Sequence, residues 1–216
     1  RMGAVVAVGA LGGTIASTPA GDTGDTGGTA VVPSLDAAAL AAAVPGLSAV
    51  ARVRAETLAM LPSGSLDEPT VLAALRWARA QVDLGATGVV LTQGTDTLEE
   101  SAYLLDLHWD RPEPLVVTGA MRAPQSAGAD GPANVLAAVR CAASPDSRDR
   151  GVLVVIADEV HLARRVAKTD SMATDAFASP GFGPAGRCVE GVVQYAGPAD
   201  RLPPLWLFYA MVFSCA

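Results

Sequence analysis

Two short polar turns in the sequence carry residue types that could do chemistry. Residues 93–97 read Gln-Gly-Thr-Asp-Thr and follow the apolar run 88–91, and residues 12–14 read Gly-Gly-Thr and follow the apolar run 4–10. A buried strand that ends in a polar turn before a helix is a common ligand-binding position in α/β proteins. We therefore expect the two turns to contribute to one polar site.

The turn at residues 93–97 places a hydroxyl beside a carboxylate, and the chain contains a single lysine. Thr95 precedes Asp96, and the lysine is Lys168, in a polar stretch after another apolar run. A threonine hydroxyl becomes a nucleophile only where a neighbouring group takes its proton. A lysine that is oriented by a carboxylate can do this. These three residues are therefore candidates for amide hydrolysis, although a lysine on a surface loop is more often only solvated.

Structural interpretations stand beside these chemical ones. Taken alone, Gly-Gly-Thr after a strand is more often a helix-capping turn or a phosphate cradle than a nucleophile loop. However, residues 9–13 read GALGG and do not complete GxGxxG, and no GxxxxGK[ST] motif occurs. A nucleotide-binding module is therefore a disfavoured third hypothesis.

The helix that follows residues 93–97 needs an N-cap, which either threonine of the turn could provide. We assign this role to Thr97, with Glu99 or Glu100 completing a capping box. Thr95 is then the threonine that remains for chemistry.

Composition and charge exclude several classes of partner. The chain has 216 residues, of which 50% are hydrophobic and 17% are charged, so a sizeable core is expected. The net charge is −7, and the basic residues form no run or stripe, so neither nucleic acid nor an anionic membrane is an expected partner. No apolar run approaches the roughly 20 residues that cross a bilayer.

The cysteines and histidines give no sign of a metal or disulfide framework. The three cysteines are widely separated, which favours buried thiols in a reducing compartment, and no signal-peptide pattern is seen at the N-terminus. We therefore expect a cytoplasmic protein. His108 and His161 have no partner at metal-binding spacing, so each is interpreted as a surface or core histidine, and no metal is expected.

Strands alternate with helices along the chain, which predicts an α/β fold. We expect a three-layer, Rossmann-like arrangement, with a mostly parallel sheet and helices on both faces. Buried strands are predicted at residues 4–10, 50–61, 88–91, 114–118 and 152–157, and helices around 37–43, 68–84, 98–105 and 131–139. Residues 188–195 read as a hairpin, while 17–32 and 159–182 are interpreted as a long loop and a polar, irregular stretch.

Several motifs in order identify a family resemblance. They are GGTIAS at 12–17, AVPGL at 43–47, QGTDTLEESAYLLDL at 93–107, VVTGAMR at 116–122, ADGPAN at 129–134, and GVLVVIADEV followed by RRVAKTDS up to residue 171. On these motifs the sequence resembles the bacterial-type L-asparaginases, a family that includes glutaminase-asparaginases. The resemblance implies an N-terminal catalytic domain at 1–195, a linker at 196–204, and, at 205–216, the first strand of a C-terminal domain that is otherwise missing.

The resemblance also implies a reaction and its catalytic residues. The family hydrolyses L-asparagine to L-aspartate and ammonia through a threonyl acyl-enzyme, without a metal or organic cofactor. Thr14 matches the family's nucleophilic threonine, and Thr95, Asp96 and Lys168 match its second catalytic cluster. Full-length members are expected to form homotetramers, as dimers of dimers.

The substrate-binding residues follow from the same match. Ser63 corresponds to the serine that holds the α-carboxylate of the substrate, and Asp96 would also bind its α-ammonium group. Gly94 belongs to the same binding turn, and Ala120 occupies the position whose backbone carbonyl contacts the leaving amide.

Departures from the family pattern leave two alternatives open. Residues 18–34 contain no tyrosine, although the family usually has one in this loop, and Gln93 replaces a frequent histidine. The absent C-terminal domain would supply an acidic residue to a neighbouring subunit's site, so this chain is expected to be weakly active or inactive. The alternatives are a catalytically dead domain that binds an amino acid, and a glutaminase-asparaginase with a broader substrate range.

Overall fold

A computed structural model of the protein describes residues 3–19, 31–33 and 36–205. Its strands in chain order are β1 (Val5–Gly12), β2 (Ser17–Pro19), β3 (Val31–Pro33), β4 (Arg52–Leu61), β5 (Gly88–Thr92), β6 (Leu115–Thr118), β7 (Val152–Ile156), β8 (Glu159–Leu162), β9 (Ala167–Lys168), β10 (Phe177–Ala178), β11 (Gly186–Val189) and β12 (Val192–Tyr195). Its α-helices are α1 (Ala37–Ala42), α2 (Leu47–Val50), α3 (Glu68–Asp83), α4 (Leu98–His108) and α5 (Gly131–Ala143).

One eight-stranded sheet organises the fold, with the strand order β12-β11-β8-β7-β6-β5-β1-β4. The strands from β4 to β7 in that order are parallel, and β8, β11 and β12 add to one edge in antiparallel orientation. β1 lies between β4 and β5, so the chain passes first to the strand on one side of β1 and then to the strand on its other side. Such a switch point opens a crevice at the carboxyl ends of the strands. The predicted mostly parallel sheet is confirmed.

Helices cover both faces of this sheet, because successive strand side chains point to opposite sides. On one face α1, α2 and α5 pack against Val6, Val8 and Val90. On the other face α3 and α4 pack against Ala7 and Leu91. This arrangement confirms the predicted three-layer α/β fold.

The predicted helix boundaries depend on short-range capping, and the structure contains these caps. The Asp36 side chain accepts a hydrogen bond from Ala39 N at 2.7 Å, and Asp67 accepts one from Thr70 N at 3.0 Å. Gly85, just past α3, has φ 85°, the left-handed conformation that ends helices without strain in glycine.

The interpretation of residues 159–182 as an irregular stretch was wrong, because β8, β9 and β10 lie within it. Ala157 and Asp158 both have positive φ and reverse the chain tightly between β7 and β8. Because this stretch contains many polar side chains, its sequence pattern did not indicate strands. The ends of the predicted loop 17–32 also form a ribbon of β2 and β3, and residues 20–30 lie outside the described part of the chain.

His161 is a core histidine and is fully buried in β8. Its Nδ1 lies 2.9 Å from Ser179 Oγ, which joins β8 to the segment after β10. Burial lowers the pKa of His161, so the ring is neutral at physiological pH. A neutral imidazole is compatible with this apolar position and stabilises the stretch that the sequence pattern predicted to be irregular.

Residues 196–204 contain no helix or strand, in agreement with a connecting segment, but they lie against the domain. The Arg150 guanidinium stacks on Tyr195 at 3.6 Å and donates to the carbonyls of Gly197 and Pro198. The predicted strand at 205–216 lies outside the described residues except for Leu205. The domain limits therefore stay predictions. Within the described ranges, no helix is long and apolar enough to cross a membrane.

We predict that Gly88→Ala destabilises the protein by about 1–3 kcal/mol, because overpacking in a dense core costs this much. A Cβ at Gly88 would lie 2.1 Å from the Ala142 carbonyl oxygen, where α5 crosses β5. Urea unfolding would measure the change. Gly64→Ala is the matched control, since a Cβ there meets nothing within 4 Å. Equal stability of the two variants would contradict the prediction.

We also predict that the thiols of Cys141 and Cys188 resist alkylation in the folded protein. Both are buried, and burial raises the pKa of the Cys141 thiol and that of Cys188, the latter to about 12. At pH 8 a thiol with that pKa is ionised in only about one molecule in ten thousand, and the thiolate is the reactive form. Iodoacetamide labelling with peptide mapping would test this, with urea-unfolded protein as the reactive control. Rapid labelling of either residue in the folded chain would refute the prediction.

Candidate active site

The predicted site residues lie in four turns at the carboxyl ends of neighbouring parallel strands. Thr14 follows β1, Ser63 follows β4, residues 93–96 follow β5, and Ala120 follows β6. This is the edge at which the switch point opens the sheet. The expectation that the two threonine-bearing turns share one location is therefore met by the topology.

Glycines allow three of these turns to touch. Gly13 has φ 80°, and a Cβ at this position would lie 2.2 Å from Gly94 N. A Cβ at Gly94 would lie 2.4 Å from Ser63 Cβ. Because any side chain at either glycine would collide with a neighbouring turn, the backbones of all three turns approach one another only with these residues. The Gly13 N–H also donates to the Leu61 carbonyl at 2.9 Å, which joins the turns after β1 and β4.

Lys168 reaches this location from β9 and joins the two side chains that the sequence assigned to it. Its Nζ donates to Thr95 Oγ1 at 3.0 Å and to Asp96 Oδ1 at 2.8 Å. The Lys168 side chain is 16% exposed and that of Asp96 is 71% exposed. The amine is thus held between a buried hydroxyl and a carboxylate that faces solvent.

The electrostatics of Asp96 follow from this contact. The hydrogen bond from Lys168 is the main cause that lowers the pKa of Asp96, and its partial burial opposes the effect. The carboxylate is therefore ionised at neutral pH and remains open to an incoming cation, such as a substrate ammonium group.

Ser63 is tied to the same turn by its backbone and its side chain. Its Oγ accepts a hydrogen bond from Asp96 N at 2.7 Å, and its carbonyl accepts one from Thr97 Oγ1 at 3.1 Å. The Ser63 hydroxyl also interacts with the Asp96 carboxylate and contributes to the lowering of its pKa. A hydroxyl both donates and accepts, so the same group can donate its proton to a bound anion.

The capping assignment of Thr97 was half right. Thr97 is the N-cap residue of α4, but its side chain makes no capping hydrogen bond. The hydroxyl donates to the carbonyl of Ser63 instead, so tertiary contact replaces the local capping interaction. The predicted capping box is therefore wrong.

Thr14 lies in a short 3-10 turn and is half-buried next to the contact between Gly13 and Gly94. The turn is braced by the Ser17 hydroxyl, which donates to the Gly13 carbonyl at 2.7 Å. The Ala120 turn lies alongside, because Ile15 and Ala120 both pack against Gly131 at the start of α5. The structure thus places the turns of Thr14 and Ala120 together.

Two polar residues that shape the site were missed in the sequence analysis. The Asp130 carboxylate accepts the backbone N–H groups of Met121 and Arg122, each at 2.9 Å. The Asn134 amide donates to the Gly119 carbonyl at 3.0 Å and accepts from Ala157 N at 3.0 Å. The aspartate and the asparagine, four residues apart at the start of a helix, were the available signal.

No group of three or more His, Cys, Asp or Glu side chains within the described ranges could hold a metal ion. The buried Gln93 side chain extends the polar character of the site, and its Oε1 has no hydrogen-bond partner in the part of the chain that the structure describes. What the site offers chemically is therefore a hydroxyl, an amine and a carboxylate in contact, beside a second hydroxyl-bearing turn.

Comparison with known proteins gives a consistent result. A family model described as "Asparaginase, N-terminal" matches residues 5–201. A glutaminase-asparaginase from Pseudomonas fluorescens biotype A is 40% identical over 187 residues, which are 86% of this chain and 51% of the relative. L-asparaginase 2 from Escherichia coli K12 is 39% identical over 153 residues, 71% of this chain and 44% of that relative. The chain spans about half the length of the relatives that it matches.

A solved structure is also similar. The crystal structure of a probable cytoplasmic L-asparaginase from Campylobacter jejuni superimposes with a TM-score of 0.83 at 33% identity. The match covers 94% of this chain and 60% of that one.

We predict that Lys168→Met raises the pKa of Asp96 toward its ordinary value of 3.8, since the variant removes the main cause of its lowering. In the wild type the pKa of Asp96 is lower in the folded protein than in the unfolded chain. Its contribution to the stability of the folded protein is therefore fully present above the ordinary pKa, and is lost as the pH falls through the lowered pKa. Carboxyl ¹³C NMR titration would measure the change. Asp67 is the control, because the Thr70 hydrogen bonds lower its pKa, and its titration should not move. An unchanged Asp96 titration would contradict the assigned contact.

Proposed function

The chain belongs to the asparaginase family, and on that premise we propose that its site hydrolyses the side-chain amide of L-asparagine to L-aspartate and ammonia. One observation carries the proposal. The amine of Lys168 contacts Thr95 Oγ1 at 3.0 Å and Asp96 Oδ1 at 2.8 Å, directly beside the turn that bears Thr14. A hydroxyl, a proton acceptor and an orienting carboxylate are the parts that amide hydrolysis requires.

The proposed reaction has two stages. The Thr14 oxygen attacks the amide carbon, its proton leaves, and the carbon–nitrogen bond breaks as the amide nitrogen takes a proton and departs as ammonia. Water then attacks the resulting ester and releases L-aspartate, returning a proton to the Thr14 oxygen. We assign proton transfer to Thr95 and Lys168, because these two groups are hydrogen-bonded to each other, and Asp96 orients the amine.

The substrate's α-carboxylate and α-ammonium groups would bind on the same turns. The Ser63 hydroxyl would donate a hydrogen bond to the carboxylate, and the exposed Asp96 offers a negative charge to the ammonium. Gly94 keeps the two in place, since Ser63 lies against it. The backbone carbonyl of Ala120 would accept a hydrogen bond from the leaving amide.

L-Glutamine, longer by one methylene, is a further substrate within this proposal. A single methylene changes binding in a pocket by only about 1–3 kcal/mol. Three of the similar relatives carry the name glutaminase-asparaginase, so both amides belong in the assay.

A coupled ammonia assay tests the proposal. We expect slow release of ammonia from L-asparagine, because the loop at 18–34 lacks the tyrosine that the family usually places beside the first threonine. Thr14→Val and Thr95→Val should each reduce the rate by about a hundredfold or more, since each removes a reacting or proton-transferring hydroxyl. Ser65→Ala is the control, because Ser65 is an exposed hydroxyl close to Ser63 in the chain. Hydrolysis that survives both threonine substitutions would refute the proposed roles.

Binding without hydrolysis is the outcome that would favour an amino-acid-binding domain. The contacts of Ser63 and Asp96 are formed in the structure, so such a domain would keep its ligand site. Calorimetry with L-aspartate, read together with the ammonia assay on L-asparagine, distinguishes the two functions. Binding of L-aspartate without ammonia release from L-asparagine supports the binding domain, and turnover of L-asparagine supports the hydrolase.

Two further properties stay proposals. Homotetramers, as dimers of dimers, are proposed for full-length family members, and light scattering would measure the assembly of this chain. A cytoplasmic location agrees with the name of the similar Campylobacter jejuni protein, a probable cytoplasmic L-asparaginase, whereas a Haemophilus influenzae relative is named a probable periplasmic L-asparaginase. Cell fractionation would distinguish these locations.

A further inference from the structure

The backbone of Lys168 is held by a residue that the site described above does not use. The Glu99 carboxylate accepts a hydrogen bond from the backbone N–H of Lys168, across 69 positions in sequence. Lysine side chains are long and flexible, so the position of the amine depends on where the Cα is fixed. The contact with Glu99 therefore bears directly on the reach of Nζ.

Glu99 lies in the first turn of α4, immediately after the turn that carries Thr95 and Asp96. The segment 95–99 thus contacts Lys168 at both ends, with Thr95 and Asp96 on the amine and Glu99 on the backbone. A movement of this segment would carry the hydroxyl, the carboxylate and the lysine together. Such coupling keeps the distances between the three groups constant.

The other side of the lysine is fixed by the core. Lys168 pairs with Phe177 in the two-stranded sheet of β9 and β10, and the Phe177 ring is buried in the same apolar cluster as Leu98 of α4. Glu99 and Phe177 therefore hold the backbone of the lysine from two directions. Of these two contacts, only that of Glu99 can be removed by substitution without disturbing the apolar core.

We propose that Glu99 is a positioning residue for the amine of Lys168. The importance of this role for catalysis rests on the proposed function. A negative charge in the first turn of a helix also interacts favourably with the helix dipole, and this is the competing explanation for Glu99. Glu100 separates the two explanations. It has the same charge in the same turn but is exposed to solvent.

The single lysine of the sequence makes a direct structural test available. Biosynthetic labelling with lysine carrying ¹³C at Cε gives one side-chain signal, that of Lys168. We expect Glu99→Ala to move this signal toward that of the urea-unfolded chain, Glu99→Gln to stay close to the wild type because its amide oxygen still accepts the N–H, and Glu100→Ala to leave it unchanged. Should Glu99→Ala fail to fold, Glu99→Asp, which is shorter by one methylene, replaces it.

The kinetic test uses the same variants with L-asparagine. Glu99→Ala should lower kcat about tenfold to a hundredfold, the cost of a small misplacement of a catalytic group, while KM changes by less than about twofold. Glu99→Gln should recover most of the loss, and Glu100→Ala should match the wild type. Thermal unfolding of each variant checks that the fold is retained.

The two measurements separate failure of this inference from failure of the proposed function. A Lys168 signal that does not respond to Glu99→Ala overturns the positioning role, whether or not the chain hydrolyses L-asparagine. An equal response to Glu100→Ala also overturns it, in favour of the helix dipole. A signal that responds as expected in a chain without ammonia release supports the positioning role and contradicts the hydrolase.

Discussion

The contact between the turns after β1, β4 and β5 is the constraint on which the site depends. Gly13, Gly94 and Ser63 lie against one another, at distances that no side chain at either glycine would allow. Each turn by itself is an ordinary end of a parallel strand. Their contact converts three local turns into one surface, because a shift of any of them must move the other two. The polar contacts between these turns, such as the hydrogen bond from Asp96 N to Ser63 Oγ, can form only because the turns lie against one another.

Much of the fold and part of the site could be predicted from the sequence, because the signals were local. Buried strands read as apolar runs, Asp36 and Asp67 marked helix starts, and the polar turns pointed to a common edge of the sheet. The pairing of Lys168 with Thr95 and Asp96 was inferred from chemistry and from the scarcity of lysine. The structure brings these three side chains into contact.

The features that escaped prediction depend on contacts between distant parts of the chain. Thr97 and Glu99 have the residue types and spacing of local capping groups, yet their hydrogen bonds go to Ser63 and Lys168. The short strands β8 to β10 contain polar residues whose partners, such as Ser179 for His161, lie far away in sequence. Local pattern cannot distinguish a capping side chain from one with a tertiary partner, since both need the same donor and acceptor atoms.

Lys168 is the single lysine of the sequence, and this has a consequence for chemical modification of the protein. All other side chains that carry a permanent positive charge are arginines, so apart from the α-amino group the sequence offers a single primary amine. The Lys168 side chain is 16% exposed, and its amine lies between a threonine and an aspartate. Acylating reagents used to attach proteins to resins or polymers would thus find almost no targets on the surface. Where they did react with a side chain, they would modify the site itself, so conjugation should be directed to surface carboxylates.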